Sequence, residues 1–284
     1  MFQVPITFLA DVNGDHPENV RRLMFHEFAV NGAKHLVLND QMIASILAHP
    51  DLAEKLTQEI QDEGLDWVDS HAMFGRYWDL NSLVPERFEQ IVARRKVELR
   101  IAADMGVKTM TVHVGNSFEP DDSDESVRTQ FDTVSRALDE LLPYAEKCDV
   151  VVNIENIWTK LNTPERLLAI KAKFDTPYLG FCYDAGHANR AAKCPGLQIP
   201  PDPDVLEKML PQVVTCHIHD NHALSDEHLA PGAGSVEWEK VARLLEKAPR
   251  LACIQCETIP ILKKVSVREV CDGMRKYFGA LDRK

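Results

Sequence analysis

Eight times along this chain a short run rich in β-branched residues is followed by a polar or glycine-containing loop and then by a longer stretch with helical spacing of apolar residues. The runs are Val4 to Ala10, His35 to Asn39, Leu65 to Ala72, Thr109 to Val114, Val150 to Glu155, Tyr178 to Asp184, Val213 to Ile218 and Leu251 to Glu257. Helical stretches lie at Glu18 to Val30, Asp51 to Glu63, Pro85 to Met105, Ser123 to Lys147, Pro164 to Phe174, Asp204 to Leu210, Trp238 to Lys247 and Val267 to Phe278. Thr163-Pro164 reads as a cap followed by proline at the first helical position, and Gly106 follows the helix ending at Met105. A chain of 284 residues, 45% hydrophobic, fits two ordinary domains or one large barrel. Eight alternating units with no break in composition predict a single α/β domain over residues 1–284, a parallel (β/α)8 or TIM barrel. The main irregular insert, Cys194 to Pro203, is stiffened by prolines and reads as a shaped lip of a site.

A formal charge of −12 with scattered Lys and Arg offers no patch for a phosphate backbone, which makes nucleic acid a poor partner. Seven cysteines spread along the chain form no disulfide framework and fit a reducing interior. The opening Met1 to Ala10 has neither the basic flank nor the apolar length of a signal peptide or membrane span. A cytoplasmic protein without membrane attachment is the expectation.

In such a barrel the site is built at the carboxyl ends of the strands. Strand three ends at His71, strand four at His113, strand five at Glu155, strand six at Asp184 with His187 just beyond, strand seven at His217 and strand eight at Glu257. Six consecutive strands thus deliver a ligand-type residue to one rim. If Glu155 points inward so do Val151 and Asn153, and if Glu257 does, Cys253 and Gln255 share its face. The stretch after Val213-Val214 is the densest, with His217, His219, Asp220, His222, Asp226 and His228 in close succession. Imidazole and carboxylate together suit a divalent ion such as Zn, Mn or Co, and Pro231-Gly-Ala-Gly234 offers a loop to fold back over its open side. Two glutamates and a cation also supply what proton transfer beside a carbonyl requires, a base, a second acid/base and a charge opposite the developing enediolate. Phe74, Tyr77, Trp78 and Trp158 follow strand ends and are candidates for an apolar wall beside the site.

Ile154-Glu155-Asn156, Tyr183-Asp184-Ala185-Gly186-His187-Ala188, His217-Ile218-His219-Asp220-Asn221, Asp226-Glu227-His228, the run Pro231 to Trp238, and Glu257 resemble the sugar isomerase/epimerase family of xylose-isomerase-like TIM barrels, over about Val4 to Phe278. The resemblance implies one divalent metal (Mn, Mg, Co or Zn) held by Glu155, Asp184, His217 and Glu257, with Glu155 and Glu257 as the catalytic proton-transfer pair. It also implies substrate contact by His187. His71, His113, Asp226, His228 and Trp158 complete the substrate-binding candidates. The expected substrate is a small carbohydrate, and a homo-oligomer is left open. The endonuclease IV branch shares the barrel and builds a larger metal cluster, which would recruit His71, His113, His187, Asp226 and His228. A metal-dependent phosphodiesterase is therefore the alternative, with a dehydratase or lyase on a cyclic polyol as a further one. The acidic balance, the Asp184-Ala-Gly-His187 wording and Ile154-Glu-Asn-Ile-Trp158 weigh against the nuclease.

Three motifs are set aside. Cys253 and Cys256 face opposite sides of a strand and make neither a redox turn nor a zinc knuckle. Gly232-Ala-Gly234 is too short for a dinucleotide fingerprint. The acidic run Glu119 to Glu125 is read as capping the helix that starts near Ser123.

Overall fold

The computed structural model describes residues 2–10, 12–115 and 123–279. Eight parallel strands close in sequence order into one barrel: β1 (Ile6–Phe8), β2 (His35–Leu38), β3 (Asp66–His71), β4 (Thr109–Val112), β5 (Val151–Glu155), β6 (Leu179–Asp184), β7 (Val213–Ile218) and β8 (Ile254–Cys256). Closure is made by β1 pairing with β8, with Thr7 opposite Gln255. Around it run α1 (Glu18–Val30), α2 (Asp40–Ala48), α3 (Leu52–Asp62), α4 (Pro85–Asp104), α5 (Asp124–Cys148), α6 (Pro164–Lys171), α7 (Ala185–Lys193), α8 (Val205–Met209), α9 (Trp238–Leu245), α10 (Pro260–Lys263) and α11 (Val267–Phe278). The alternation thus folds as the expected barrel, and the apolar layer between strands and helices is one continuous core from Ile6 to Phe278.

Side-chain caps start α2, α5, α7 and α11, whereas Thr163 precedes α6 without a capping hydrogen bond and Pro164 alone opens that helix. Ser123 caps α5 by accepting from the Ser126 amide, while Glu119 to Asp122 of the acidic run lie outside the described residues. Ser266 and Glu269 form a reciprocal capping box at α11. Three helices escape the periodicity reading, the four-residue α10 (Pro260–Lys263) among them. α2 follows β2 with Asn39 as cap, its oxygen accepting from the Met42 amide. α7 begins immediately after β6, where Asp184-Ala-Gly-His187 reads as a site motif and a glycine in the first turn masks the helix.

Two buried ion pairs tie loops to the helical layer. Arg21 pairs with Glu59 and donates to the backbone oxygens of Gly14 and His16, fixing the loop after β1. Arg95 pairs with Glu98 and donates to the oxygens of Met73 and Trp78, which holds the loop after β3. Replacing Arg21 by Met leaves Glu59 buried and uncompensated, so urea unfolding should show a loss of about 3–5 kcal/mol. The double variant Arg21→Met/Glu59→Leu should regain most of that loss, and equal instability in both would contradict the pairing account.

Candidate metal and acid–base site

The candidate residues do meet at one end of the barrel. His71 ends β3, Glu155 ends β5 and Asp184 ends β6, while His113 and Glu257 sit one residue past β4 and β8. His217 is the penultimate residue of β7, registered directly beside Asp184 and Gln255. Its Nδ1 is 3.4 Å from Glu155 Oε1, 3.7 Å from Asp184 Oδ2 and 3.2 Å from Glu257 Oε1. Three carboxylates therefore surround one imidazole nitrogen in a region where His217 and Glu155 are 1% exposed and Asp184 is fully buried. Glu155 Oε2 lies 3.1 Å from His113 Nε2 and 3.8 Å from His71 Nε2.

A second group adjoins the first. Asp226 Oδ2 lies 3.1 Å from His228 Nε2 and 3.6 Å from His187 Nε2, and its Oδ1 is 3.9 Å from His219 Nε2. Backbone carbonyls fix several of these rings. His71 Nδ1 lies 2.7 Å from the Ala72 oxygen, His187 Nδ1 2.9 Å from the Asn156 oxygen and His228 Nδ1 3.3 Å from the Glu257 oxygen. A carbonyl only accepts, so in all three rings Nδ1 carries the proton and Nε2 is turned toward a carboxylate.

That arrangement calls for positive charge. Burial alone would push the carboxyls up and the imidazoles down, yet mutual attraction wins in both directions. Glu155 is held well below the usual carboxylate range by His217 and His113, and Asp184 is lowered by His187 and His219. His71 is raised by Glu155, and His217 well above the ordinary histidine value by Cys182, Glu257 and Glu155. Protons on imidazole are one source of compensation and a divalent cation is the other. The donor set fits a cation: both ring nitrogens of His217 are buried without a hydrogen-bond partner, and oxygen and nitrogen atoms within 4.8 Å of one another form the groups Glu155/Asp184/His217, His71/His217/Glu257, His71/His113/Glu155, Asp184/His187/His219 and His219/Asp226/His228.

The supporting residues are ones the motif reading left without a role. Asn156 behaves like an extra rung between β5 and β6, its Oδ1 accepting from the Asp184 amide at 2.8 Å and its Nδ2 donating to the Asp184 oxygen at 3.0 Å. Asp184 also caps α7 through the His187 amide at 2.6 Å, which sets His187 beside it. Gln255 donates to Glu257 Oε1 at 2.8 Å from the same inner face, the partnership that strand parity places but does not name. His219 is fully buried, stacks flat on His228 at 3.8 Å and lies 3.0 Å from Asp184 Oδ2.

Two members of the histidine-rich stretch do not join the site. Asp220 is consumed structurally: its carboxylate accepts from the amides of Asn221, Gly232 and Val236 and from Trp238 Nε1. The Pro-Gly-Ala-Gly loop closes around Asp220, and a Cβ on Gly234 would come within 2.4 Å of Asp220 Oδ1. An antiparallel bridge from Asp220 to Leu229 brings Asp226 and His228 back over the rim. His222 is exposed and pairs with Glu227.

Among the aromatics, Phe74 packs at 4.7 Å on His113 and Trp158 edge-on at 4.6 Å to His187, with Arg190 over its face. Tyr77 and Trp78 instead stack under Arg87 and Arg94 of α4. The proline-rich insert does form a wall, since Ile199 to Asp204 line a cavity of 370 Å³ that reaches Asn156 and His187. Cys253 and Cys256 are unpaired and buried, and burial pushes the Cys256 thiol up to about 12.

A family model described as xylose isomerase-like TIM barrel matches residues 32–274. The chain belongs to that family. Curated relatives of this family member include the uncharacterized protein y4fM of Sinorhizobium fredii, 25% identical over 153 residues, which are 53% of this chain and 47% of that protein. The chain thus spans about half the length of that relative. The uncharacterized protein MJ1311 of Methanocaldococcus jannaschii is 26% identical over 81% of this chain and 76% of its own. Among solved structures, a D-tagatose 3-epimerase-like protein superposes with a TM-score of 0.75 at 19% identity, covering 95% of each chain. The 3-keto-D-glucoside 4-epimerase YcjR of E. coli gives 0.73 at 16%, covering 97% and 99%. The IOLI protein, solved with a bound zinc atom, gives 0.70 at 16%, covering 97% and 100%. At these identities the superpositions establish the shared fold. No described helix is long and apolar enough to cross a membrane.

Gly186 gives a direct handle on the site. A Cβ there would fall 2.0 Å from His219 Cε1, so Gly186→Ala must displace the ring that touches Asp184 and His228. Titration with zinc or manganese should show affinity reduced at least about tenfold with an unchanged far-UV spectrum. Undiminished affinity would mean that His219 plays no part in holding the cluster.

Proposed function

We propose that this protein is a divalent-metal-dependent isomerase or epimerase of a sugar or sugar derivative, moving a proton at the carbon beside a carbonyl. The observation that carries the reading is the approach of Glu155 and Glu257, from strands three apart around the barrel, to within 3.4 and 3.2 Å of the same His217 nitrogen. Two carboxylates so placed flank a common centre, as a two-base proton transfer requires. The epimerase names of proteins sharing the fold support the same class.

Glu155, Asp184, His217 and Glu257 are the residues that would hold the metal. When bound, a divalent ion there supplies positive charge opposite the negative charge that builds on the substrate's carbonyl oxygen. The chain's own groups do the rest. One of Glu155 and Glu257 takes the proton from carbon and the other returns one, on the opposite face for epimerisation or at the neighbouring position for isomerisation. Gln255 orients Glu257 by donating to its Oε1, leaving the other oxygen available. His71, His113 and His187 stand round the same centre, placed to hold hydroxyls, while Phe74 and Trp158 offer ring faces to the sugar's carbon framework. Asp226 and His228 close the rim from the returning loop.

A second reading rests on one specific feature, the His187/Asp226/His228 group with its Nε2 atoms turned to a single carboxylate. Ligands for more than one ion would suit a phosphodiesterase that activates water, the endonuclease IV style of chemistry. The net charge of −12 opposes a DNA substrate.

Ketoses, aldoses and their derivatives incubated in deuterated water with Mn, Mg, Co or Zn should acquire deuterium at the carbon beside the carbonyl. Glu155→Gln and Glu257→Gln should each slow turnover by roughly a hundredfold to ten-thousandfold while keeping most of the bound metal. His217→Ala should lose metal and activity together. Full turnover in both Gln variants, or cleavage of a phosphodiester in place of sugar conversion, would refute the proton-transfer assignment.

A further inference from the structure

TIM-barrel interiors are ordinarily packed with layers of branched apolar side chains. The layer beneath this rim is different. Strand alternation places Asp69, Asn153, Thr215 and Gln255 two residues before His71, Glu155, His217 and Glu257 on the same inner face. Thr111 is registered opposite Asn153, and Thr7 opposite Gln255. All six are fully buried. Each keeps side-chain hydrogen-bonding capacity that no oxygen or nitrogen of the protein meets, namely Thr7 Oγ1, Asp69 Oδ2, Thr111 Oγ1, Asn153 Oδ1 and Nδ2, Thr215 Oγ1 and Gln255 Oε1, with only the weakly bonding thiols of Cys253 and Cys182 set against Asp69 and Thr215.

Their other atoms are already committed. Asp69 Oδ1 accepts from Thr109 Oγ1 at 2.6 Å and from the Ser70 amide at 2.8 Å, and Gln255 Nε2 donates to Glu257. So many orphaned polar atoms in one layer are too costly to leave unsolvated. The set also identifies its ligand. A cation would satisfy the oxygens and leave the Asn153 amide nitrogen unpaired, whereas water serves donors and acceptors alike. His217 adds a separate demand, since its Nδ1 faces the carboxylates and its buried Nε2 has no hydrogen-bond partner. An imidazole that presents one nitrogen to a metal ordinarily donates from the other.

We propose that the barrel interior beneath the rim binds a cluster of ordered water molecules, held by Thr7, Asp69, Thr111, Asn153, Thr215 and Gln255, one of which accepts the Nε2 proton of His217. The waters thereby aim Nδ1 at Glu155, Asp184 and Glu257 from below, as Asn156 and Gln255 aim the carboxylates from the side. The hydrated layer stands independently of the reaction assigned to the site, and the alignment of His217 accompanies its reading as a metal ligand.

Three measurements on the intact protein test it, none of them an activity. Oxygen-17 magnetic relaxation dispersion should count fewer long-lived internal waters in Asn153→Leu than in the wild type. Thr111→Val and Thr215→Val keep side-chain shape and remove a hydroxyl, so hydrated sites predict a melting temperature unchanged or lowered. A dry layer predicts a rise of about 2–4 °C as an unpaired buried hydroxyl disappears. In the wild type, metal-free or zinc-loaded, the His217 Nε2 proton should show cross-relaxation to a bound water. A rise in melting temperature in both valine variants, an unchanged water count in Asn153→Leu, or an Nε2 proton without a water neighbour would each overturn the proposal.

Discussion

The mutual repulsion of Glu155, Asp184 and Glu257 around His217 is the constraint to which the rest of the structure answers. Three carboxylates drawn toward one buried nitrogen lose water and gain like-charge neighbours, a cost that positive charge at their centre offsets. The surrounding imidazoles take up part of that demand, as the raised positions of His71, His187, His217 and His228 express. A fold that spends stability in this way must hold its donors rigidly. Closing eight strands into one barrel does so, because each donor is fixed by the register of its strand rather than by a free loop.

Rigidity at the rim comes from groups that touch the donors from outside. Asn156 bridges β5 to β6 with two hydrogen bonds, Asp184 caps the helix that carries His187, and His219 is seated on Gly186, where no side chain fits. Asp220 performs the corresponding task for the returning loop by filling its carboxylate with four donors from Asn221, Gly232, Val236 and Trp238. Asp226 and His228 reach the site only because that loop folds back on Asp220. The two ion pairs Arg21–Glu59 and Arg95–Glu98 play a similar part farther out, fixing loops that follow β1 and β3.

Much of this was legible in the sequence because the barrel repeats a local pattern. Alternation of β-branched runs with amphipathic stretches locates every strand to within a few residues, and the ligand types at the strand ends identify the rim before any packing is known. What was not legible depends on contacts distant in sequence. Asp220 and Asp226 look alike as acids in a histidine-rich stretch, yet only the fold of the Pro231–Gly234 loop decides that Asp220 is consumed by backbone amides. The helix α7 hides behind a glycine whose reason is the His219 ring across from it. Tyr77 and Trp78 follow a strand end as Phe74 does, but arginines of α4 draw them away. The unpaired polar layer inside the barrel can be placed by parity, whereas its lack of partners becomes visible only when all eight strands are closed.

The central claim is that this rim is built around a divalent ion. Its most direct test is an anomalous difference map from crystals of the protein reconstituted with manganese, phased independently of the ion. The account predicts a dominant peak about 2.0–2.2 Å from donor atoms of Glu155, Asp184, His217 and Glu257. A map with no peak there, or with its dominant peak outside these four residues, would contradict it.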